Sequence, residues 1–389
     1  MEEALDQVKR LATASQHSRQ QAIIALQNLA FSLETPDYTL HRYGHMSLQA
    51  ALVQVGIDLK LFRCLVESVV PLTVQQISEK TGAEGQLMNR ILRFLASIGA
   101  VSESDKYQYC ANHVTRNLAE SVVEAGLSHY FNTAAPQYQA LPVYLQENGY
   151  KNPTDDTKTA FQLAFDTSLN SYAWFASNPR HLAYFNAYMA LRRNPDVTWL
   201  SVYPVVEEAA KWSAEKGLFI NIGGGIGHQC AQFKEKYPSL QGRIVLQDLP
   251  HSVAQALPTP GVENMAHDMF ERQPILGAKF YHLRGVLHNQ SPLKVQQLLE
   301  NIKAAMGSDS ILLVDELVLP NSRVNYIAAS IDMTMLSAFA SMERTEAQWR
   351  ETFEHVGLEL VHTYTYYPQG YESVMDVRLP RTQIASHDR

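Results

Sequence analysis

The chain has 389 residues, of which 46% are hydrophobic and 18% charged. This composition predicts a globular protein long enough for two or three domains. The net charge of −7 argues against a nucleic-acid-binding surface, which would normally be basic. Cys64, Cys110 and Cys230 lie far apart, so we expect neither a zinc motif nor a disulfide framework. No apolar run reaches the roughly 20 residues of a membrane span, and the acidic start is unlike a signal peptide, which predicts a cytoplasmic protein.

The N-terminal part of the chain is expected to be helical and then to form a winged helix. Apolar residues recur at helical spacing over residues 1–33, Pro36 ends that helix, and another helix is expected over 46–66. Two further helices and an alternating strand pair follow between Pro71 and Ala119. The N-terminal helical extension could pack either on a partner chain or on its own domain.

A winged helix can bind DNA, but this one carries few basic residues. Its second helix offers only Arg90 and Arg93, in a chain that is acidic overall. The sequence therefore favours a dimerisation or lid role for this domain over DNA binding.

The region 120–200 is expected to be a helical lid. It is rich in aromatic residues, Tyr184 among them, and is interrupted by the polar loop 151–159. Taken together, the aromatic side chains could line a pocket for a flat or apolar substrate. Any one of them, however, is more often a core residue than a ligand contact.

From residue 201 the pattern alternates between strands and helices, which predicts a doubly wound α/β sheet that ends in an antiparallel strand pair. Its first strand, Leu218–Ile222, runs into Gly223, Gly224 and Gly225, where the backbone can turn tightly and approach a ligand. Asp248 stands at the end of the next strand, where an acid commonly holds a nucleotide ribose. A glycine turn alone is a weak signal, and its spacing here differs from that of dinucleotide sites.

Three polar residues are expected at the carboxyl ends of later strands, where this fold binds its ligands. His288 follows a predicted strand over 279–287, Glu316 lies in the strand 310–320, and Glu343 precedes a helix. A histidine suits a general base near neutral pH, and a carboxylate behind it fixes its tautomer. The alternative is a capping or surface histidine.

Nearly the whole chain resembles the plant and fungal caffeate-type O-methyltransferases, which depend on S-adenosylmethionine (SAM). The resemblance rests on the winged-helix segment and on the stretches INIGGGIG, VLQDLP, HDMF, LRGVLHN, VDELVLP and MERTEAQW. It implies His288 as base with Glu316 and Glu343 as its partners. It also implies a SAM site and a substrate site. Further candidate residues for the SAM site are Asp268, Met269 and Arg284. Candidate residues for the substrate site are Met335, Phe339 and Tyr184.

The chain departs from the family pattern around this site. Asn221 stands before the glycines, and Asn289 follows the histidine, where the family usually has Asp at both places. Gln290 and Ser291 replace a Trp and an acid, and Arg284 replaces a Lys. These changes leave the His–Glu–Glu set intact but alter its surroundings.

A second resemblance is to the leporin-type pericyclases, fungal members of the same fold that keep SAM without transferring its methyl group. The segments SLETPDYT, EAGLSHYF, TAFQLAFDT and LRRNPD carry it. It implies catalytic roles for His129 and Arg193 in the lid. The group's second catalytic arginine falls on position 288, which is His here, so the pattern is met only in part.

The sequence therefore predicts a SAM-dependent O-methyltransferase that acts on a hydroxyl of an aromatic or enolic secondary metabolite. The alternatives are a SAM-binding pericyclase of the same fold and a non-catalytic dimeric partner. We expect a homodimer and three regions: dimerisation domain 1–119, lid 120–200 and catalytic domain 201–389.

Overall fold

The computed structural model describes residues 1–192 and 197–380. It contains two compact units, one formed by Met1–Ala135 with Asn178–Arg193 and the other by Pro136–Ser177 with Asn194–Arg389. The region expected to be a lid is thus divided between the two units, and the three-region division stays a prediction. Among the described residues, no helix is both long enough and apolar enough to cross a bilayer.

The helices are described first, because they make up most of the first unit and flank the sheet of the second. In chain order they are α1 (Glu2–Ala12), α2 (Gln16–Ser32), α3 (Pro36–Gly44), α4 (Met46–Asp58), α5 (Leu61–Val66), α6 (Val74–Thr81), α7 (Gly85–Ser97), α8 (His113–Ala119), α9 (Ser121–His129), α10 (Ala135–Glu147), α11 (Ala160–Phe165), α12 (Ser171–Ser177), α13 (Pro179–Arg192), α14 (Val205–Ala209), α15 (His228–Lys236), α16 (Pro250–Val253), α17 (Pro292–Ala305), α18 (Tyr326–Phe339) and α19 (Glu346–His355).

The strands form a small sheet in the first unit and a large one in the second. They are β1 (Leu72–Thr73), β2 (Ser102–Asp105), β3 (Gln108–Cys110), β4 (Gly217–Ile222), β5 (Arg243–Asp248), β6 (Val262–Ala266), β7 (Phe280–Arg284), β8 (Ile311–Leu319), β9 (Arg344–Thr345), β10 (Glu359–Tyr367) and β11 (Glu372–Arg378).

The first unit contains the winged helix that the sequence predicts. Helices α6 and α7 lie between β1 and β2 in the chain, and the strands form a three-stranded antiparallel sheet with the order β1-β3-β2. Thr73 caps α6 in a reciprocal capping box with Gln76. One apolar face of α7, with Met88 and Leu92 at its centre, is completely buried in the core of this unit.

The second unit is built on the doubly wound sheet expected from the sequence, with strand order β10-β11-β8-β7-β4-β5-β6. Strands β4 to β8 run parallel, whereas β11 is antiparallel to β8 and to β10. All six residues of β4 are buried, because helices cover both faces of the sheet. The strand order reverses at β4, which lies between β5 and β7, so ligands are expected at the carboxyl ends of these strands.

Three local features differ from the sequence-based expectation. The single helix expected over residues 1–33 is divided into α1 and α2. The helix expected over 46–66 is interrupted at Lys60, whose φ of 54° lies in the left-handed region. The short strand β6 was not predicted, since most of its residues are half-buried or exposed and its apolar alternation is weak. The break at Lys60 was not predicted because neither Gly nor Pro marks it and the apolar periodicity of the sequence continues through it.

Candidate active site

The glycine turn after β4 is shaped by three different requirements. Gly223 and Gly225 have φ of 63° and 62°, which glycine adopts without strain. A Cβ on Gly224 would stand 2.2 Å from Asn221 Nδ2 and 2.6 Å from Leu246 Cδ1, so this position has no room for a side chain. Around Gly225, by contrast, a Cβ would meet nothing within 4 Å. The turn therefore exposes bare backbone to an open space at Gly225.

Asp248 at the end of β5 is fixed against this turn. Its Oδ2 accepts the backbone N–H of Gly225 at 2.8 Å, and its Oδ1 accepts that of Leu249 at 2.8 Å. Each carboxylate oxygen keeps a further lone pair for another donor. The half-buried carboxylate is thus oriented before any ligand binds and can accept hydroxyl groups.

Asp268 and Met269 lie in the turn that follows β6. Asp268 is exposed, and its Oδ1 accepts the backbone N–H of Phe270 at 2.9 Å. The Met269 sulfur would lie 3.9 Å from a Cβ on Gly223, so this side chain borders the glycine turn. An apolar, polarisable group next to bare backbone suits the flat face of a base.

These residues fit SAM better than they fit a phosphate-bearing cofactor. The Gly225 N–H, which a phosphate would need, is already donated to the Asp248 carboxylate. That carboxylate would repel a phosphate but can accept ribose hydroxyls. SAM carries a ribose and a positive charge and has no phosphate, which matches both observations.

His288 and Glu343 form the central polar contact of the site. His288 lies in a short 3₁₀ turn, Leu287–Asn289, rather than directly after a strand, since β7 already ends at Arg284. Its Nδ1 is 2.7 Å from Glu343 Oε1, and the Glu343 side chain is fully buried. An acceptor carboxylate at this distance places the proton on Nδ1 and the lone pair on Nε2.

The chain reaches this contact through a strand pairing that the sequence did not predict. The two-residue strand β9 pairs in parallel with the carboxyl end of β8, with Val318 opposite Arg344. Glu343 immediately precedes β9 and is thereby held at the edge of the sheet where His288 lies. Its backbone N–H donates to Asp332 Oδ1 at 2.8 Å, and Asp332 was not singled out from the sequence.

Glu316 acts on the backbone of the histidine turn. Its Oε1 accepts the N–H groups of Val286, Leu287 and His288 at 2.9, 2.7 and 3.3 Å. These bonds tie Glu316 to the main chain that carries the imidazole, and its role as a partner of the imidazole itself stays a prediction. A buried carboxylate is a strong acceptor for such N–H groups, which would otherwise be unsatisfied.

The charges behind His288 are concentrated in a buried region. Burial raises the pKa of Glu316, and the charge of His288 opposes this shift. Burial also raises the pKa of Asp332. Arg344 is buried as well. Desolvation lowers the pKa of its guanidinium group, and the negative charges of the surrounding carboxylates oppose this shift. Its guanidinium lies 4.9 Å from the centre of the Trp349 ring, which supports it by a cation–π contact.

Arg284, expected in the cofactor site, is engaged elsewhere. Its Nε lies 3.3 Å from Asp315 Oδ2, and its Nη2 lies 3.8 Å from Glu372 Oε2. Burial raises the pKa of Asp315 to about 7, partly offset by the charge of Arg284. These contacts direct the guanidinium towards β8 and β11, so the geometry gives its role in cofactor binding no support and that role stays a prediction.

The candidate substrate residues Met335 and Phe339 lie on α18 and are half-buried. The ring of Phe339 is 5.5 Å from that of Tyr172 on α12. On the same helix, the hydroxyl of Thr334 is 2.7 Å from that of Tyr138. Helix α18 therefore presents both apolar and hydroxyl groups within the second unit.

In the first unit, His129 ends α9 and is packed among aromatic rings. Its ring centre lies 5.5 Å from that of Phe185 and 6.1 Å from that of Tyr188. Burial lowers the pKa of His129 to about 4, which keeps the imidazole neutral near pH 7. The structure thus gives His129 a perturbed environment, and its catalytic role stays a prediction.

The other two candidates of the lid are Tyr184 and Arg193. The Tyr184 hydroxyl accepts a hydrogen bond from Arg180 Nε at 2.9 Å, within the first unit. Arg193 lies outside the described residues. The structure therefore brings together His288, Glu316 and Glu343 and describes Tyr184 and His129 in the other unit.

Comparison with known proteins gives consistent matches along the chain. A family model for an O-methyltransferase domain matches residues 153–359, and one for an O-methyltransferase dimerisation domain matches residues 42–121. O-methyltransferase ucdC of Aspergillus ustus is 37% identical over 92% of this chain and 94% of its own length. Demethylsterigmatocystin 6-O-methyltransferase of Aspergillus parasiticus is 39% identical over 86% of each protein.

Solved structures match over nearly the full length as well. A structure described as a pericyclic reaction enzyme and one of LepI in complex with SAM each superpose with a TM-score of 0.88 at 36% identity, covering 97% of this chain and 98% of theirs. O-methyltransferase lepI of Aspergillus flavus is 37% identical over 92% of this chain. The structure of OxaC, at 21% identity and a TM-score of 0.83, shares the fold.

Proposed function

The chain belongs to the O-methyltransferase family, and from that premise we propose that it transfers the methyl group of SAM to a hydroxyl of an aromatic or enolic secondary metabolite. The observation that carries this proposal is the 2.7 Å contact between His288 Nδ1 and Glu343 Oε1. A histidine held in this way is suited to remove a proton from an attacking hydroxyl.

In the proposed reaction, each residue has a separate task. His288 Nε2 takes the proton of the substrate hydroxyl as the oxygen becomes a nucleophile. Glu343 keeps the other proton on Nδ1 and stabilises the imidazolium that forms. Glu316 fixes the backbone of the turn and so sets the position of the imidazole. The apolar side chains of Met335 and Phe339 would position the ring of the substrate.

The cofactor residues have complementary tasks. Bound SAM supplies an electrophilic methyl group on a positively charged sulfur. Gly225 provides bare backbone for close approach, Asp248 accepts the ribose hydroxyls, and Met269 lies against the base. Asp268 is proposed to contact the adenosine from its exposed turn.

This function is tested by mass spectrometry of SAM turnover. The protein is incubated with SAM and a panel of phenols, enols and pyridone alcohols. The proposal expects S-adenosylhomocysteine (SAH) together with a product that is heavier by one methyl group. Methyl transfer would be contradicted if a member of the panel were converted while SAM remained unconsumed with every member.

The second candidate function is a pericyclic or dehydration reaction that needs bound SAM without consuming it. It is favoured by the high structural similarity to a pericyclic reaction enzyme and by the half-buried His129, whose lowered pKa keeps it neutral. In that reaction His129 would stabilise negative charge that develops on a substrate oxygen, and Arg193 would assist it. A product of equal mass, or lighter by one water, formed only when SAM is present and unconsumed, would identify this function in the same experiment.

We also propose that the protein is a homodimer formed through its N-terminal region. None of the residues of α1, α2 and α3 is buried, and apolar side chains such as Leu26 and Leu29 are exposed. A second copy of this region would remove that apolar surface from water. The dimerisation-domain match begins at residue 42, near the end of α3. The cytoplasmic location remains a prediction.

Light scattering on the full chain tests the dimer. The wild type is expected to have twice the mass of one chain, and the double substitution Leu26→Glu, Leu29→Glu is expected to shift it to the monomer, because charge would be buried in the interface. Gln27→Glu adds a charge to the same helix and should leave the dimer intact. A monomeric wild type would refute the proposal.

A further inference from the structure

The carboxylate of Glu343 has little besides His288 to hold it in place. Its Oε1 lies 2.7 Å from His288 Nδ1. Its Oε2 is buried and accepts no hydrogen bond from the residues that the structure describes. The whole side chain is shielded from bulk solvent. The position of this carboxylate therefore depends on the main chain of Glu343.

Two contacts fix that main chain. On one side, Arg344 pairs with Val318 in the parallel strands β9 and β8. On the other side, the backbone N–H of Glu343 donates to Asp332 Oδ1 at 2.8 Å. Between these two residues the chain leaves α18 at Ala340, whose φ of 51° lies in the left-handed region, and turns back along the helix. The hydrogen bond to Asp332 closes this turn.

Asp332 also belongs to the face of α18 on which the candidate substrate residues lie. Met335 and Phe339 follow it by three and seven residues, which places the three side chains along one face of the helix. All three are half-buried. The same helix packs on the 3₁₀ turn that carries His288. Asp332 thus connects the helix of the candidate substrate residues to the partner of the proposed base.

We propose that Asp332 is a positioning residue, which holds the Glu343 carboxylate against His288 through its hydrogen bond to the Glu343 backbone. The inference rests on the proposed function, in which His288 is the base. If Glu343 were displaced, its 2.7 Å contact would lengthen, and the imidazole would lose the group that fixes its tautomer and stabilises its charged form. Because Asp332 acts as an acceptor, a neutral oxygen at the same place serves the same purpose.

The test compares Asp332→Ala with Asp332→Asn by steady-state kinetics at saturating SAM. Asp332→Ala removes the acceptor, so we expect kcat to fall about 10- to 100-fold and KM for the substrate to change less than about threefold. The amide oxygen of Asp332→Asn should keep kcat within about threefold of the wild type. Calorimetry should give both variants the wild-type Kd for SAM, which also shows that they are folded. As a matched control on the same helix, Ser330→Ala removes a hydroxyl that donates to the Tyr326 carbonyl, and it should leave kcat unchanged.

A third variant keeps the test decisive if Asp332→Ala does not fold. Asp332→Glu retains the charge but moves the carboxylate by one methylene, so it should lower kcat more than Asp332→Asn does. With a wild type that transfers methyl groups, two results would overturn this inference alone. One is full activity of Asp332→Ala or of Asp332→Glu, and the other is a loss in Asp332→Asn as large as in these variants, which would make the charge the essential feature. A wild type that transfers no methyl group would overturn the proposed function and this inference with it.

Discussion

Replacing His288 with Ala is expected to lower kcat for methyl transfer by roughly 10²- to 10⁴-fold, the usual contribution of a general base. The reason is that the hydroxyl of the substrate would then have to lose its proton to water as it attacks. The affinity for SAM should not change, because no cofactor residue is altered. Steady-state kinetics with the best substrate of the panel, together with calorimetric SAM binding, measures both effects.

His355→Ala is the matched control for this experiment, since it removes an exposed imidazole at the end of α19. It should leave kcat unchanged. Full activity of His288→Ala, combined with inactivity of His129→Ala, would contradict the role of His288 as base and would favour the pericyclic function.

The second large effect is expected on stability. Glu316→Ala leaves the N–H groups of Val286, Leu287 and His288 without their carboxylate acceptor. Stranding buried donors costs about 1–3 kcal/mol each, so we expect the free energy of unfolding to fall by roughly 3–5 kcal/mol. Urea denaturation followed by circular dichroism measures this change.

Glu316→Gln provides the comparison within the same site. Its amide oxygen can still accept these N–H groups, and the substitution removes a charge whose burial already raises the pKa of Glu316. The loss should therefore be smaller, about 1–2 kcal/mol. If both variants were as stable as the wild type, the histidine turn would be held by something other than this carboxylate.

The cofactor half of the site could be predicted from the sequence because its residues lie close together along the chain. The strand before Gly223, the glycines and the acid at position 248 lie within about one βαβ unit, and each follows from patterning or from the backbone freedom of glycine. The structure places Asp248 against Gly225, as the order of strand, turn, helix and strand indicated. The winged helix could be predicted for the same reason, since its helix caps and apolar faces are each encoded within a short segment.

The catalytic half depends on contacts between distant segments, which periodicity does not encode. The partnership of His288 with Glu343 spans 55 residues and came from the resemblance to a family. That Glu316 accepts backbone N–H groups could not be predicted, because it depends on the direction of one side chain near the end of β8.

The bonds of Glu316 also determine how activity should disappear on heating. The turn that carries His288 is tied to β8, a central strand of the sheet, so its amide hydrogens should exchange with solvent only when that strand opens. A state with an intact sheet and a displaced base would then be scarcely populated. Heat inactivation should coincide with loss of the sheet signal in circular dichroism, whereas inactivation well below that temperature would locate the weakest region outside this turn.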